Sequence, residues 1–144
     1  MSVGDKMTRH ELRDQTFKML FGMGFHEGED REAPLYNYLN ETCEFELTEE
    51  EQKEIVDRVL DISDHLPELD RDIDRVSEGW RISRMGRAEL SILRLALYEI
   101  RYDDAVPVGV AINEAVELGK EYCSDEAPAF INGVLARLVR ETED

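Results

Sequence analysis

Apolar residues recur along this 144-residue chain at intervals of three and four, the spacing that gathers them on one side of an α-helix. Alternating runs long enough for a strand do not occur, and neither does an Asn-Gly or Asp-Gly hairpin turn. A first helix is predicted from about Thr8 to Met23. Thr8 and Glu11 have the spacing of a capping box, and Leu12, Thr16, Met19, Leu20 and Met23 share a face. The glycine- and acid-rich stretch from Gly22 to Gly28 reads as its exit. A short helix after Pro34 turns Leu35, Tyr38 and Leu39 inward. Thr48 and Glu51 form a second capping box, opening a helix with Ile55, Val56, Val59, Leu60 and Leu66 that Pro67 is expected to stop.

Four more segments complete the pattern. Glu68 to Glu78 offers Leu69, Ile73 and Val76, with Gly79 ending it. From about Ser83 to Tyr102 the apolar positions, among them Leu90, Leu93, Leu95, Ala96, Leu97 and Ile100, wrap much of the circumference, as in a central buried helix. Pro107 can begin a helix without losing a needed donor, and Val110, Ala111, Ala115, Val116 and Leu118 give that helix a small-residue packing face. Asp125 and Pro128 open a last helix with Ile131, Val134, Leu135, Leu138 and Val139. The expected fold is all-α, a bundle of about seven helices in one domain. Its two helical subdomains are expected at residues 1–78 and 79–144.

Charge narrows the function classes. The chain carries a net −17, which opposes general binding to nucleic acid, where basic groups displace counterions from phosphate. The excess is local. Residues 26–78 hold 19 acidic and 5 basic residues, and residues 103–144 hold 10 and 3. Residues 1–21 and 80–102 are mildly basic, with 4 bases to 3 acids and 5 to 2, so an anion could be held only there. The polar, acidic start has no signal-peptide core, and no run approaches the ~18 apolar residues of a membrane span. Cys43 and Cys123 fit no motif and are expected as reduced thiols. A cytoplasmic protein is expected.

Chemistry finds little support. Asp70-Arg71-Asp72-Ile73-Asp74 starts like a calcium loop, but Arg75 and Arg81 stand where Gly and Glu are required. His10, His26 and His65 have no metal-ligand spacing, and no nucleophile elbow, phosphate loop or dinucleotide fingerprint occurs. Neither a metal nor a cofactor is expected. Glu99, Asn113 and Glu114 are polar groups in apolar helical settings. They could tune a general acid or base, but they read better as groups that bond to backbone or to Arg94 and fix helix packing. Arg9 and Arg13, at i and i+4 with His10 nearby, form a basic helical face. Arg81, Arg84, Arg87, Arg94 and Arg101 wrap around their helix instead of lining one stripe.

The linked pattern "GRAELSILRLALYEIRYDDAVPVGVAINEAVELGKEY" and "FINGVLARL", with "TRHELRDQTFKMLFGM" near the start, closely resembles the transcription antitermination factor NusB family. The similarity is strong from Trp80 onward and weak over residues 26–78. It implies a non-enzymatic all-α protein. Such a protein binds boxA-type RNA together with a small-subunit ribosomal protein, called NusE in its transcription role, and helps RNA polymerase read through terminators in ribosomal RNA operons.

By this resemblance the RNA-binding arginines correspond to Arg9 and Arg13, with His10 beside them where other members carry further arginines. Phe21 stands where a Tyr is usual, keeping a stacking ring and losing a hydroxyl. Glu126 matches an acidic loop residue near the RNA, and Ala129-Phe130 matches a Lys-Phe pair whose lysine is missing. Glu89 matches a position that meets the ribosomal-protein partner. The thinned basic motif implies weak RNA affinity for the protein alone, with the basic partner supplying charge. It also leaves a second reading open, a protein–protein adaptor or homodimer with little RNA binding. A similar domain occurs fused to RNA cytosine methyltransferases, but the cofactor domain and catalytic Cys motif of those enzymes are absent from these residues.

Overall fold

The computed structural model describes residues 7–23, 31–43, 46–77 and 85–143. Those residues form seven α-helices and no strand: α1 (Arg9–Met23), α2 (Glu32–Thr42), α3 (Glu49–Asp64), α4 (Leu66–Val76), α5 (Arg87–Tyr102), α6 (Val108–Tyr122) and α7 (Ala127–Glu143). The all-α expectation and its helix order hold. The chain divides into two compact units, Met1–Ser63 and Asp64–Asp144. That division falls earlier than residue 78, because α4 packs with α5 and α7.

In the first unit, both capping boxes form as their spacing requires. Thr8 N–H donates to Glu11 Oε1 and Glu11 N–H to Thr8 Oγ1, each at 3.1 Å. Thr48 N–H donates to Glu51 Oε1 at 3.0 Å and Glu51 N–H to Thr48 Oγ1 at 3.1 Å. Each pair satisfies two of the N–H groups that a helix start leaves open. α1 buries Phe17, Met19 and Leu20, α2 buries Leu35 and Leu39, and α3 buries Ile55, Val56, Val59 and Ile62. α1 and α2 approach closely at Gly22, where a Cβ would collide with the Tyr38 hydroxyl.

In the second unit α5 touches α4, α6 and α7. Every residue from Ser91 to Glu99 except Arg94 is buried, so the helix that looked apolar all round is the central one. Arg94 turns that exception to use. Its Nε and Nη2 donate to the two oxygens of Asp70 on α4, at 2.8 and 2.7 Å, a bidentate pairing that fixes orientation as well as distance. Arg101, about two turns further along α5, reaches Asp72. α7 closes on the end of α4 through Arg137, which donates to the Val76 carbonyl at 3.2 Å, and through the ion pair of Arg75 with Glu141. At Gly119 of α6 a Cβ would stand 2.9 Å from Ile131 Cδ1, so α6 and α7 pack at the distance a missing side chain allows.

Several boundaries differ from the sequence expectation. α3 ends at Asp64 and Leu66 belongs to α4. Pro67 starts that helix instead of stopping the previous one, because a proline in the first turn removes only an N–H that has no helical partner there. α5 begins at Arg87, after an extended Gly86, and Ser83 and Gly79 lie outside the described residues. Val110, assigned to the packing face of α6, is 45% exposed, and the buried positions are Ala111, Ala115, Leu118 and Gly119. Asn113 is exposed and Glu114 half-buried.

Asp72 makes the α4–α5 joint testable. Burial alone would raise its carboxyl, but hydrogen bonds and charge from Arg101, then Arg75, hold it below the ordinary aspartate value. A depressed folded value contributes stability above the unfolded pKa and loses it as pH falls through the folded one. Asp72→Asn is therefore expected to be less stable than wild type at pH 7. That difference should shrink below about pH 4, as measured by urea denaturation of both proteins from pH 7 to pH 3.

Candidate nucleic-acid interface

The first turn of α1 places Arg9 and His10 in solvent. Among the described residues no hydrogen bond or ion pair engages the Arg9 guanidinium, and it sits where the helix dipole is positive, so both features favour an anion. Arg9, Arg13, Phe17 and Phe21 follow one another at i+4 and make a single ridge. The structure exposes the ridge at its ends and covers its middle. Arg13 is only 9% exposed and Phe17 is fully buried, whereas Phe21 is 40% exposed. The two ends are separated by about 18 Å of helix rise. The expected pair of surface arginines is thus one surface arginine, with Arg13 working inside the fold.

Phe21 has a second ring one turn back. Its ring lies 6.0 Å from that of Phe17 with an interplanar angle of 11°, so the exposed ring runs nearly parallel to the buried one beside it. A planar, exposed ring can stack a nucleobase. Lys18, one turn before Gly22, is paired with Asp14 at 3.1 Å.

The other sequence-predicted residues lie in the second unit. Glu126 is exposed in the turn before α7, and its carbonyl accepts the Phe130 N–H at 3.4 Å. Ala129 is exposed and Phe130 half-buried on the first turn of α7. Glu89, on the first turn of α5, is half-buried. Its carboxylate occupies the space a side chain at Gly86 would need, and it hydrogen-bonds the Cys123 thiol at the end of α6. The structure therefore brings Arg9, His10 and Phe21 onto one helix, and gathers Glu126 with Phe130 at another helix start. Glu89 belongs to the second unit as well, and its contact at Cys123 falls three residues before Glu126.

Two contacts went unnoticed in the sequence. Glu51 bonds the Met7 N–H at 2.7 Å through its second oxygen, across 44 positions. The capping-box spacing located Glu51, but nothing in that spacing could signal the longer contact. The Glu89–Cys123 contact likewise has no sequence signal. Glu99, by contrast, is 2% exposed. Among the described residues no buried side-chain nitrogen or oxygen lacks a partner, which agrees with a framework role. Also among the described residues, no cluster of three His, Cys, Asp or Glu could hold a metal ion, and no helix is long and apolar enough to cross a membrane.

The sequence matches the profile of the NusB family over residues 10–140. The chain belongs to the NusB family. Transcription antitermination protein NusB of Lachnoclostridium phytofermentans is 43% identical over 133 residues, covering 92% of this chain and 99% of that one. The protein of the same name from Agathobacter rectalis is 45% identical over 131 residues, covering 91% and 98%. The fold agrees with T. maritima NusB, at 29% identity and a TM-score of 0.81 over 95% of this chain and 94% of that one. It also agrees with a solved structure of antitermination factors NusB and NusE with double-stranded RNA, at 24% identity and a TM-score of 0.75. That match covers 94% of this chain and 99% of the other, and the likeness is one of fold.

Cys123 gives this corner of the family fold a measurable signature. Burial, and behind it the charge and hydrogen bond of Glu89, push the thiol up to about 11. In a Cys43→Ser background, alkylation by iodoacetamide at pH 8 is expected to run roughly a hundredfold slower than for an unperturbed thiol. Glu89→Gln should recover only part of that factor, since burial is the larger cause.

Proposed function

We propose that this protein is a transcription antitermination factor. It binds boxA-type RNA jointly with the small-subunit ribosomal protein NusE, and it acts in the cytoplasm within an antitermination complex on RNA polymerase. The carrying observation is the 43–45% identity, over more than nine-tenths of the chain, to proteins named for transcription antitermination. The proposal assigns no catalysis. In the first unit Arg9 and His10 meet phosphate and Phe21 offers a ring to a base; in the second unit Glu126 and Phe130 are RNA contacts in their own right. Arg13 supports α1 from within. Glu89 faces the protein partner while held against Cys123.

Charge decides how the work is divided. A chain of net −17, in whose basic segment Arg9 is the arginine left unengaged by the described residues, binds RNA weakly alone, and a basic partner both complements its surface and adds phosphate contacts. The buried Arg13 also favours a second reading, a protein–protein adaptor or homodimer with little RNA binding of its own.

Fluorescence anisotropy with labelled boxA RNA separates the two readings. It compares this protein, the ribosomal protein and the pair at two salt concentrations, with scrambled RNA as control. The pair is expected to bind more tightly than either component, and only the boxA sequence should show it. Arg9→Ala should weaken the pair's binding about three- to tenfold and flatten the salt slope by about one. Arg13→Ala should chiefly lower the melting temperature. If the pair binds no better than the ribosomal protein alone, the adaptor reading replaces the RNA reading.

A further inference from the structure

We propose that Glu51 is a positioning residue for RNA, holding the start of α1 so that Arg9 is presented to phosphate from a fixed place. The inference rests on the RNA reading of α1 given above. Glu51 sits on the first turn of α3, and each of its carboxylate oxygens has its own backbone donor. Oε1 accepts from Thr48 N–H at 3.0 Å, which closes the α3 capping box. Oε2 accepts from Met7 N–H at 2.7 Å. One side chain thereby fastens the residues that lead into two different helices.

The contact falls where α1 most needs it. Met7 lies two residues before Arg9, and its side chain is buried, so the segment is anchored by its side chain and by its N–H. Thr8 and Glu11 then complete their own box. Helix ends fray unless tied, and α1 carries Arg9 at its first position. The Arg9 side chain is long and exposed, so whatever order it has comes from its backbone. A contact to phosphate made from a frayed turn loses affinity to the entropy of ordering that turn.

The sign of the effect sets this role apart from simple charge. Glu51 is an anion in a strongly acidic protein, so removing it should favour an anionic ligand if only net charge mattered. A positioning role predicts the opposite. Glu51→Ala deletes both bonds. Glu51→Gln keeps the shape but offers a single acceptor oxygen, and so retains at most one of them. Thr48→Ala weakens the α3 cap and leaves the Met7 bond intact.

The experiment measures boxA RNA anisotropy of the wild type and the three variants, each with the ribosomal-protein partner. It is run at 10 °C, where folding is verified by circular dichroism, and at several salt concentrations. Partner affinity without RNA is measured alongside. Glu51→Ala is expected to weaken RNA binding about fivefold and lower the salt slope by about one, as loss of a phosphate contact does. Glu51→Gln should fall between it and wild type, and Thr48→Ala should match wild type. Partner affinity should be unchanged throughout. Should Glu51→Ala not fold, Glu51→Gln carries the same test with the same sign. Equal or tighter RNA binding by the Glu51 variants overturns the positioning role. Absence of RNA binding by the wild-type pair overturns the RNA reading and this inference with it, and it is distinguishable because no variant is needed to see it.

Discussion

Burial of α5 is the constraint on which the second unit depends. Ile92, Leu93, Leu95, Ala96 and Leu97 are removed from water almost completely, and a fully buried large aliphatic side chain contributes about 1.5–3 kcal/mol. A helix apolar on so many sides must be surrounded, and α4, α6 and α7 surround it. Arg94, the one residue between Ser91 and Glu99 that is not buried, is answered by both oxygens of Asp70. A desolvated guanidinium without such a partner would be costly, so this pairing selects which face of α4 can lie against α5. The acidic run Asp70, Asp72, Asp74, which fails as a calcium loop, is in part the complement to the arginines of α5.

Much of this was legible from residue spacing. Periodicity located all seven helices, and the two capping boxes fixed the starts of α1 and α3 to within a residue. The central place of α5 followed from its lack of a polar face. Pro67 misled because a proline is compatible with a helix's first turn as well as with its end, and local sequence does not say which. Val110 misled because helical spacing groups residues by angle and cannot tell whether a neighbour reaches the first turn.

The site was legible in part. Arg9 and Arg13 share a ridge, as their spacing requires, yet burial separates them. The i+4 relation places two side chains side by side without saying what lies over them. Phe21 runs nearly parallel to Phe17, which the sequence offers one turn away but cannot orient. The contacts of Glu51 with Met7 and of Glu89 with Cys123 join residues distant in the chain, and only tertiary structure creates them. Family resemblance filled the functional gap because a long linked pattern carries information that single residues do not.

The joint between α4 and α7 has a consequence for biosynthesis. Contacts of α4 with α5, α5 with α6 and α6 with α7 join neighbours in sequence, and such local contacts form quickly. The closing contacts do not. Arg137 on the Val76 carbonyl and Glu141 with Arg75 span more than sixty residues. During translation α4 and α5 emerge first and leave part of their apolar surface uncovered until α7 has cleared the ribosome. The second unit thus completes its core only with its last helix, and the partly finished chain is the form most exposed to aggregation.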